Sequence, residues 1–431
     1  MIIRLSSALL LVGLLHTHAE TTKWTDFRGP RGDGHVETSG PFPTSWSETE
    51  NVSWKTPVPG RAWATPVVWG DEIWLSNATE DGKTMSVLCL DRESGKILHE
   101  EVVFTNEAVE ELGNKVNGYG SCSPTIDEKN VYIHFGSYGT AAIDRKSRQA
   151  IWSRRDLPCR HYRGPGSSVV LYDELLILTM DGVDEQYLVA LDRSTGKTVW
   201  KTERSTEWDD INPDGTIQAE GDRRKAFNTP LFVKVGDQTQ MISSGAKATF
   251  AYDPATGKEI WHVRHPAQHT SSSRPVAWKD WVYINTGYGK PHLMQVKLDP
   301  EARGDITASH VGWDVFQRTA KRTSPIIVDG LLYMTTDEGI FSCLDAETGE
   351  VVYSERLRGH FSGSPIYADG NLYFCSEFGY NYLVQPGREF TIIAENKIGK
   401  DKYGPGMMAS PVAVENELIL RTTDAVYCIR D

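Results

Sequence analysis

Short apolar runs rich in β-branched and aromatic residues recur along the chain, separated by turn residues. In the first clear copy, Val67-Val68 leads through Ile73-Trp74-Leu75 to Val87-Leu88-Cys89-Leu90-Asp91, and a Ser-Gly-Lys turn follows. Runs of this length and composition are typical of buried strands. The Asp and Gly of the turn are typical of a tight hairpin. The pattern therefore predicts several short strands per copy, joined by hairpins.

The whole segment occurs eight times. Each copy starts at a small residue, often followed by proline, and several end with a tryptophan on a fourth strand. The copies are roughly 49 residues apart, which is the length of a four-stranded propeller blade. Their positions are Pro66, Pro124, Ser168, Pro230, Pro275, Pro325, Pro365 and Pro411. The sequence thus predicts an all-β fold, an eight-bladed β-propeller formed as one domain by residues 20–431.

The eighth copy lacks its own fourth strand, because the chain reaches Asp431 just after the third. Residues 51–55 match the outer-strand pattern and precede the first copy. We predict that they complete the eighth blade and close the ring, which leaves no open sheet edge. Two longer spacings predict insertions between blades, at about residues 99–120 and 203–227.

Eight tryptophan-containing copies of this kind resemble the pyrroloquinoline-quinone-like repeat propellers. That group includes the quinoprotein alcohol dehydrogenases and the outer-membrane assembly factor BamB. The segments Trp-Thr-Asp-Phe-Arg-Gly-Pro (24–30) and Arg-Gly-Pro-Gly-Ser-Ser (163–168) look like those of secreted BamB-like propellers of planctomycetes and related bacteria. The resemblance implies the fold, but one scaffold carries many activities. The chain departs from the dehydrogenases in having no adjacent cysteines, so we expect no quinone cofactor.

The formal charge of −13 argues against nucleic acid and against electrostatic docking on anionic membranes. Residues 1–19 combine a basic start, a short apolar run and a small-residue cleavage site, which is typical of a secretory signal peptide. No later run is long and apolar enough to span a bilayer. We therefore expect a periplasmic or secreted monomer. The lipid-attachment cysteine of BamB has no counterpart after the apolar run.

Six cysteines are too few for a disulfide-built scaffold. Cys89, Cys343 and Cys428 occupy equivalent strand positions and are expected to be small buried residues. Cys122 and Cys159 lie in loops that lead into neighbouring blades. In an oxidising compartment they are candidates for one disulfide, with two free thiols as the alternative.

The propeller resemblance implies that the loop before the first strand and the loop between strands two and three share one face of each blade. Many of these loops carry a charged or aromatic side chain, and rings combined with charges suit recognition of a sugar or a peptide. Any one of them can equally be a solvated surface group. The candidate ligand-binding residues are Tyr119, Lys247, His269, Arg274, Lys290, His292, Arg322, His360, Glu377 and Tyr403.

The leading candidate site is His161-Tyr162-Arg163, beside a Gly-Pro-Gly segment. If this cluster is a catalytic site, His161 and Tyr162 form an acid–base pair and Arg163 neutralises a carboxylate of the substrate, as a polysaccharide lyase needs. Its structural version is three side chains that hold neighbouring loops.

A weak metal motif lies in the second insertion, where Asp210, Asn212 and Asp214 match the start of a calcium loop. The twelfth position of such a loop is expected to be Glu, but here it is Gly221. A surface loop rich in Asx turns is therefore the favoured interpretation, and no metal is expected.

Three functions follow from these features. The first is an exported scaffold that binds an envelope protein or a glycan, without turnover. The second is an extracytoplasmic lyase or hydrolase acting on carbohydrate. The third and least supported is a quinoprotein dehydrogenase.

Overall fold

The computed structural model describes residues 22–36, 40–114, 116–399 and 406–431. In these ranges the chain forms eight sheets, whose four main strands are antiparallel and which are the eight blades of the predicted β-propeller. Successive strands of a blade are neighbours in its sheet, and the fourth strand is on the outside. Residues 1–19 lie outside the described residues, so the signal peptide stays a prediction. No helix of the described ranges is long and apolar enough to cross a membrane.

Blade one consists of Val67–Trp69, Glu72–Ala78, Thr84–Asp91 and Ile97–Thr105, and blade two consists of Thr125–Ile126, Asn130–His134, Thr140–Asp144 and Ala150–Arg154. Blade three consists of Val170–Tyr172, Leu175–Asp181, Gln186–Asp192 and Thr198–Glu203. Blade four consists of Leu231–Val235, Gln238–Ser244, Ala248–Tyr252 and Glu259–Arg264. Blade five consists of Val276–Trp278, Trp281–Asn285, Leu293–Lys297 and Val311–Val315, and blade six consists of Ile326–Val328, Leu331–Thr335, Ile340–Asp345 and Val351–Arg356. Blade seven consists of Ile366–Ala368, Asn371–Cys375, Tyr380–Gln385 and Thr391–Lys397. Blade eight consists of Val412–Val414, Glu417–Arg421, Ala425–Ile429 and Val52–Pro57.

The burial of each strand follows its place in the blade. Second and third strands, such as Leu175–Asp181 and Gln186–Asp192, are buried along almost their whole length. Neighbouring blades cover both faces of these strands, which explains their continuous apolar runs. The fourth strand, Thr198–Glu203, alternates between exposed and half-buried positions. Cys89, Cys343 and Cys428 lie on third strands and are buried, as predicted.

The predicted ring closure is confirmed. Val52–Pro57 pairs antiparallel with Ala425–Ile429, with Trp54 opposite Cys428. The joint between blades eight and one is also held by Arg421, which is fully buried. Its Nη1 donates to the carbonyl oxygens of Ala64 and Ser76, both at 2.9 Å, and its Nη2 donates to Asn77 Oδ1 at 3.1 Å. One side chain of the last blade thus binds three groups of the first.

The repeated tryptophan and the repeated hairpin turn pack together across the blade boundary. In four blades the indole of the fourth strand lies on the turn of the next blade and donates its N–H to a backbone carbonyl there. The pairs are Trp54 with Arg92 O, Trp152 with Arg193 O, Trp200 with Pro254 O, and Trp313 with Ala346 O, at 2.8–3.2 Å. Each tryptophan therefore contributes both apolar burial and a hydrogen bond to the interblade contact.

Substitution of Gly349 is expected to disrupt this contact. Gly349 has φ +75, and a Cβ there would lie 2.7 Å from Cδ2 of Trp313. Gly370 is a matched control, because its φ is +77 and a Cβ there would meet nothing within 4 Å. Both alanine variants carry the backbone strain, whereas Gly349→Ala also displaces the indole, adding about 1–3 kcal/mol of destabilisation. Urea unfolding followed by fluorescence measures the difference, and equal losses would contradict this packing role.

The sequence did not predict several additions to the blades. Lys23–Trp24 pairs with Val68–Trp69 and gives blade one a fifth strand. Gly304–Asp305 pairs in parallel with the fourth strand of blade four. The described ranges also contain a 3₁₀ segment, Gln218–Arg224, and a one-turn α-helix, Thr307–His310. The predicted insertion at about 99–120 begins too early, because the fourth strand of blade one continues to Thr105.

Candidate functional site

A cavity of about 310 Å³ occupies the centre of the ring. Its wall comes from the loops that precede the first strands, from the loop between the second and third strands of blade five, and from the insertion after blade three. Aromatic side chains line it at four places: Phe27, Trp63, Phe227 and Tyr288. The cavity is therefore open on the face of the predicted site loops.

The inner lining of the cavity is a ring of hydroxyl groups. The residue two positions before each first strand is Ser or Thr in seven of the eight copies. The backbone N–H of Thr65 donates to Ser123 Oγ at 2.9 Å, and the same step continues from Ser123 to Ser168 and from Ser168 to Thr229, both at 3.0 Å. On the other side of the ring, Ser324 donates to Ser364, Ser364 to Ser410, and Ser410 back to Thr65, at 2.9–3.2 Å.

The eighth position of the hydroxyl ring is Arg274. Its backbone N–H still donates to Ser324 Oγ, at 2.8 Å. Its guanidinium, however, points out of the ring: Nη1 donates to Phe27 O at 2.5 Å, and the group pairs with the carboxylate of Asp26 at 3.2–3.3 Å. Arg274 was predicted to bind a ligand, but the structure uses its buried side chain to hold the N-terminal segment.

Two arginines line the cavity wall, and carboxylates bind both. Arg163 donates to both oxygens of Asp222, at 2.5 and 2.6 Å. Arg322 donates to Asp337 at 2.7 Å and to Glu377 at 3.0 Å, and Glu377 also accepts a hydrogen bond from Ser362. Asp222 is in the wall, whereas Asp337 and Glu377 lie behind it, so each guanidinium has a carboxylate partner.

His269 also lines the cavity, and its Nδ1 lies 2.6 Å from Thr270 Oγ1. Burial lowers the pKa of His269 below its ordinary value, so the ring is neutral at pH 7. The wall therefore offers hydroxyls, aromatic rings and two arginines that are each paired with a carboxylate.

The predicted triplet is divided between two environments. Arg163 lines the cavity, whereas His161 and Tyr162 are not in its wall. His161 is 4% exposed, its Nε2 accepts the backbone N–H of Ser137 at 2.9 Å, and its Nδ1 lies 3.3 Å from Lys225 Nζ. Burial lowers the pKa of both His161 and Lys225. These bonds fit a structural role for His161, and they do not place an acid–base pair at the cavity.

Several other predicted residues lie away from the cavity. Tyr119 donates to Glu110 O at 2.8 Å, Lys247 pairs with Asp209, and His292 pairs with Asp314 at 2.7 Å. Lys290 and His360 are exposed, and His360 stacks on Phe378. Tyr403 lies outside the described residues. The structure thus brings together Arg163, His269 and Arg322 of the predicted set, with Glu377 behind Arg322.

The candidate metal residues are bound by other side chains. Arg224 donates to both oxygens of Asp210, at 2.6 and 3.0 Å, and Thr216 Oγ1 donates to Asp214 at 2.6 Å. Across the described ranges, no group of three or more His, Cys, Asp or Glu side chains could hold a metal ion. Cys122 and Cys159 are buried free thiols, so the structure does not contain the disulfide proposed from the sequence. Burial raises the pKa of Cys122 to about 12.

The family model for the outer membrane protein assembly factor BamB matches residues 48–212 and 246–379, which is more than half of the chain. The chain belongs to this family. Among solved structures, BamB from Moraxella catarrhalis is 13% identical with a TM-score of 0.60, covering 88% of this chain and 97% of that one. A europium-containing methanol dehydrogenase is 12% identical with a TM-score of 0.65, covering 94% and 90%. At these identities the two likenesses establish the fold alone.

Two curated relatives are enzymes. Tetrathionate hydrolase of Acidithiobacillus ferrooxidans is 23% identical over 377 residues, which is 78% of this chain and 66% of the relative. Quinoprotein ethanol dehydrogenase of Pseudomonas putida is 24% identical over 259 residues, which is 54% of this chain and 39% of the relative. The BamB-family chain thus spans less than two thirds of the length of each.

A carboxylate-bearing quinone cofactor would need cations that are not already neutralised. In the cavity of this BamB-family chain, Arg163 and Arg322 are both bound by carboxylates. The sequence also lacks adjacent cysteines. These residues do not fit such a cofactor, and we assign none.

Sequence reasoning missed three parts of the site: the hydroxyl ring, Phe27, and the pair Asp222 and Phe227. The signal for the ring was present, because Ser or Thr precedes the first strand in seven copies. The arginine in the remaining copy was the signal for a different role at that point. Asp222 and Phe227 belong to an insertion without a repeat partner, so no periodicity could have identified them.

Proposed function

We propose that this protein is a binding propeller of the cell envelope whose central cavity receives an uncharged glycan. The observation that carries the proposal is the lining of the cavity. A ring of hydroxyls faces Trp63, Phe227 and Tyr288 across a space large enough for a small saccharide unit. Hydroxyls exchange hydrogen bonds with sugar hydroxyls, and aromatic rings pack on the apolar faces of sugars.

The charges of the wall support an uncharged ligand. Arg163 is paired with Asp222, and Arg322 is paired with Asp337 and Glu377. An anionic sugar would have to displace one of these carboxylates from its arginine. A neutral sugar can bind beside the pairs and leave them intact.

The side chains in and around the cavity favour ligand binding over catalysis. Glycoside cleavage by acid–base catalysis needs two ionisable groups at the reacting bond. His161, the predicted base, is bound to Ser137 and Lys225 outside the cavity. Asp222, the carboxylate among the described residues of the wall, is held by Arg163. Location in the envelope is proposed from the sequence-predicted export signal and from the family.

Calorimetric titration tests the ligand. We expect cellohexaose, laminarihexaose or mannohexaose to bind, and hexagalacturonate to bind at least about tenfold more weakly, because its carboxylates would have to displace the carboxylate partners of Arg163 or Arg322. Trp63→Ala should weaken binding by about tenfold through the loss of a stacking ring. His360→Ala is the control, because His360 is exposed and is not in the cavity wall. Equal binding by the Trp63 variant, or a preference for the anionic sugar, would refute the proposal.

A protein ligand is the second candidate, and membership of an assembly-factor family favours it. An extended peptide could reach the same cavity past Val116, which lies at the mouth and is 46% exposed. A photo-crosslinking residue at Val116 should then capture one envelope protein, with the same residue at Val351, on an outer strand, as the control. If none of the saccharides binds and the residue at Val116 crosslinks to a single protein, the protein ligand replaces the glycan in the proposal.

A further inference from the structure

Residues 22–36 cross the propeller on the face opposite the mouth of the cavity, and we call this segment the strap. Its contacts are with first strands, beyond the hydroxyl ring. Thr25 O accepts the N–H of Ile126 in blade two at 3.0 Å. His35 Nε2 lies 2.9 Å from Ile327 O in blade six, and Tyr367 in blade seven exchanges two backbone bonds with the strap at 2.9 and 3.0 Å.

Arg274 joins the strap to blade five. This residue takes the place that Ser or Thr has in the other seven copies. Its guanidinium binds the carboxylate of Asp26 and the carbonyl of Phe27, and the strap turn packs so closely that a Cβ on Gly32 would overlap it. The exchange of a hydroxyl for an arginine at a single copy therefore has a structural explanation: it anchors the strap beneath the ring.

Phe27 is the strap residue that reaches the cavity. The strap contacts the first strands beyond the hydroxyl ring, so Phe27 approaches the cavity from the side opposite the entry loops. Its neighbours Asp26 and Arg28 are turned elsewhere, toward Arg274 and the carbonyl of Pro365. The Phe27 ring is thus the part of the strap that is placed at the lower end of the cavity.

We infer that the strap is a built-in plug, in which Phe27 forms the floor of the ligand site and Arg274 is the positioning residue that holds it there. The site is then a pocket with one mouth, and its depth is set by Phe27. A ligand enters through the face of Trp63, and its innermost unit contacts Phe27. The contact with a ligand rests on the proposed function, whereas the closure of the channel does not.

The anchor can be tested without any ligand. Arg274→Ser restores the hydroxyl of the other copies, and Asp26→Asn avoids leaving a buried charge, so the double variant keeps the ring and removes the ion pair. We expect hydrogen exchange of residues 25–36 to become about tenfold faster, with exchange in strands of blades two and six unchanged. Unchanged exchange in the strap would refute the role of Arg274. If the double variant does not fold, Arg274→Lys, which retains the charge but lacks the forked donors, should give a smaller increase.

The role of Phe27 as the floor can be tested by labelling a cysteine introduced at Ser410 of the hydroxyl ring. The six natural cysteines are buried, so the introduced thiol is the one that the reagent reports. Phe27→Ala should raise the labelling rate of Ser410→Cys by a cationic methanethiosulfonate about tenfold, because the reagent gains a second route. An equal rate with and without Phe27 would refute the closure.

In titrations with the three neutral hexasaccharides, Phe27→Trp should weaken binding about tenfold by filling the floor, whereas Phe316→Trp, at an exposed site, should not. Absence of saccharide binding by the wild type would refute the proposed function and leave the labelling and exchange results to decide the strap.

Discussion

Replacement of Arg204 by methionine is expected to destabilise the propeller by about 3–5 kcal/mol, because it leaves the carboxylate of Asp181 buried without a partner. The two side chains are 1% and 0% exposed and are joined by two hydrogen bonds of 2.7 and 2.8 Å. Arg204 also donates to Ser243 Oγ at 2.9 Å, so the pair connects blades three and four. Urea unfolding of the wild type and the variant gives the free-energy difference.

Two further variants separate burial from charge pairing. Arg204→Met combined with Asp181→Leu removes both charges, and we expect it to regain most of the lost stability. Arg264→Met breaks the ion pairs of a 46% exposed arginine with Glu207 and Asp305, and should cost no more than about 1 kcal/mol. A double variant as unstable as Arg204→Met would show that the loss comes from packing.

The second large effect is a loss of stability on mild acidification. Burial lowers the pKa of His134 to about 3 and that of His265 to about 4, and it also lowers the pKa of His161. Between these values and the ordinary pKa near 6.5, the unfolded chain takes up protons that the folded chain does not. Stability must therefore fall as the pH falls. From pH 7.5 to 5.0 each of His134 and His265 should contribute a loss of roughly 2 kcal/mol.

Unfolding by urea at pH 7.5 and 5.0 measures this dependence. His134→Asn, which can still hydrogen-bond to Thr140, should reduce the difference by about 2 kcal/mol. His360→Gln changes an exposed residue and should leave the difference unchanged. The same pH dependence in all three proteins would mean that His134 is protonated in the folded state.

The fold was predictable because the repeated sequence segments specify its strands and turns. The apolar runs gave the inner strands, the hairpin turns gave their connections, and residues 51–55 gave the closing strand. The pairing of Trp313 with the turn at Gly349 was not predicted, since it joins two blades through a contact that no single copy displays. The arrangement of blades thus follows from the repeat, but the contacts between them need the three-dimensional structure.

The site was predicted less well, for reasons that individual residues make clear. His161 and Arg163 are two positions apart in one loop, yet the first turns into the blade boundary and the second into the cavity. The direction of a loop side chain depends on its neighbours in space, here Ser137 for His161 and Asp222 for Arg163. Phe27 comes from a segment outside the repeat. Sequence alone identified the face of the molecule but not the set of side chains that meet there.

The closing strand also has a consequence for how the protein is made. Val52–Pro57 is synthesised before any blade, while its partner Ala425–Ile429 follows all of them. During synthesis its edge must stay unpaired, and contacts of such long sequence separation form late. We therefore expect the eighth blade to form last, and a chaperone that shields an exposed β-edge to act most usefully on this strand.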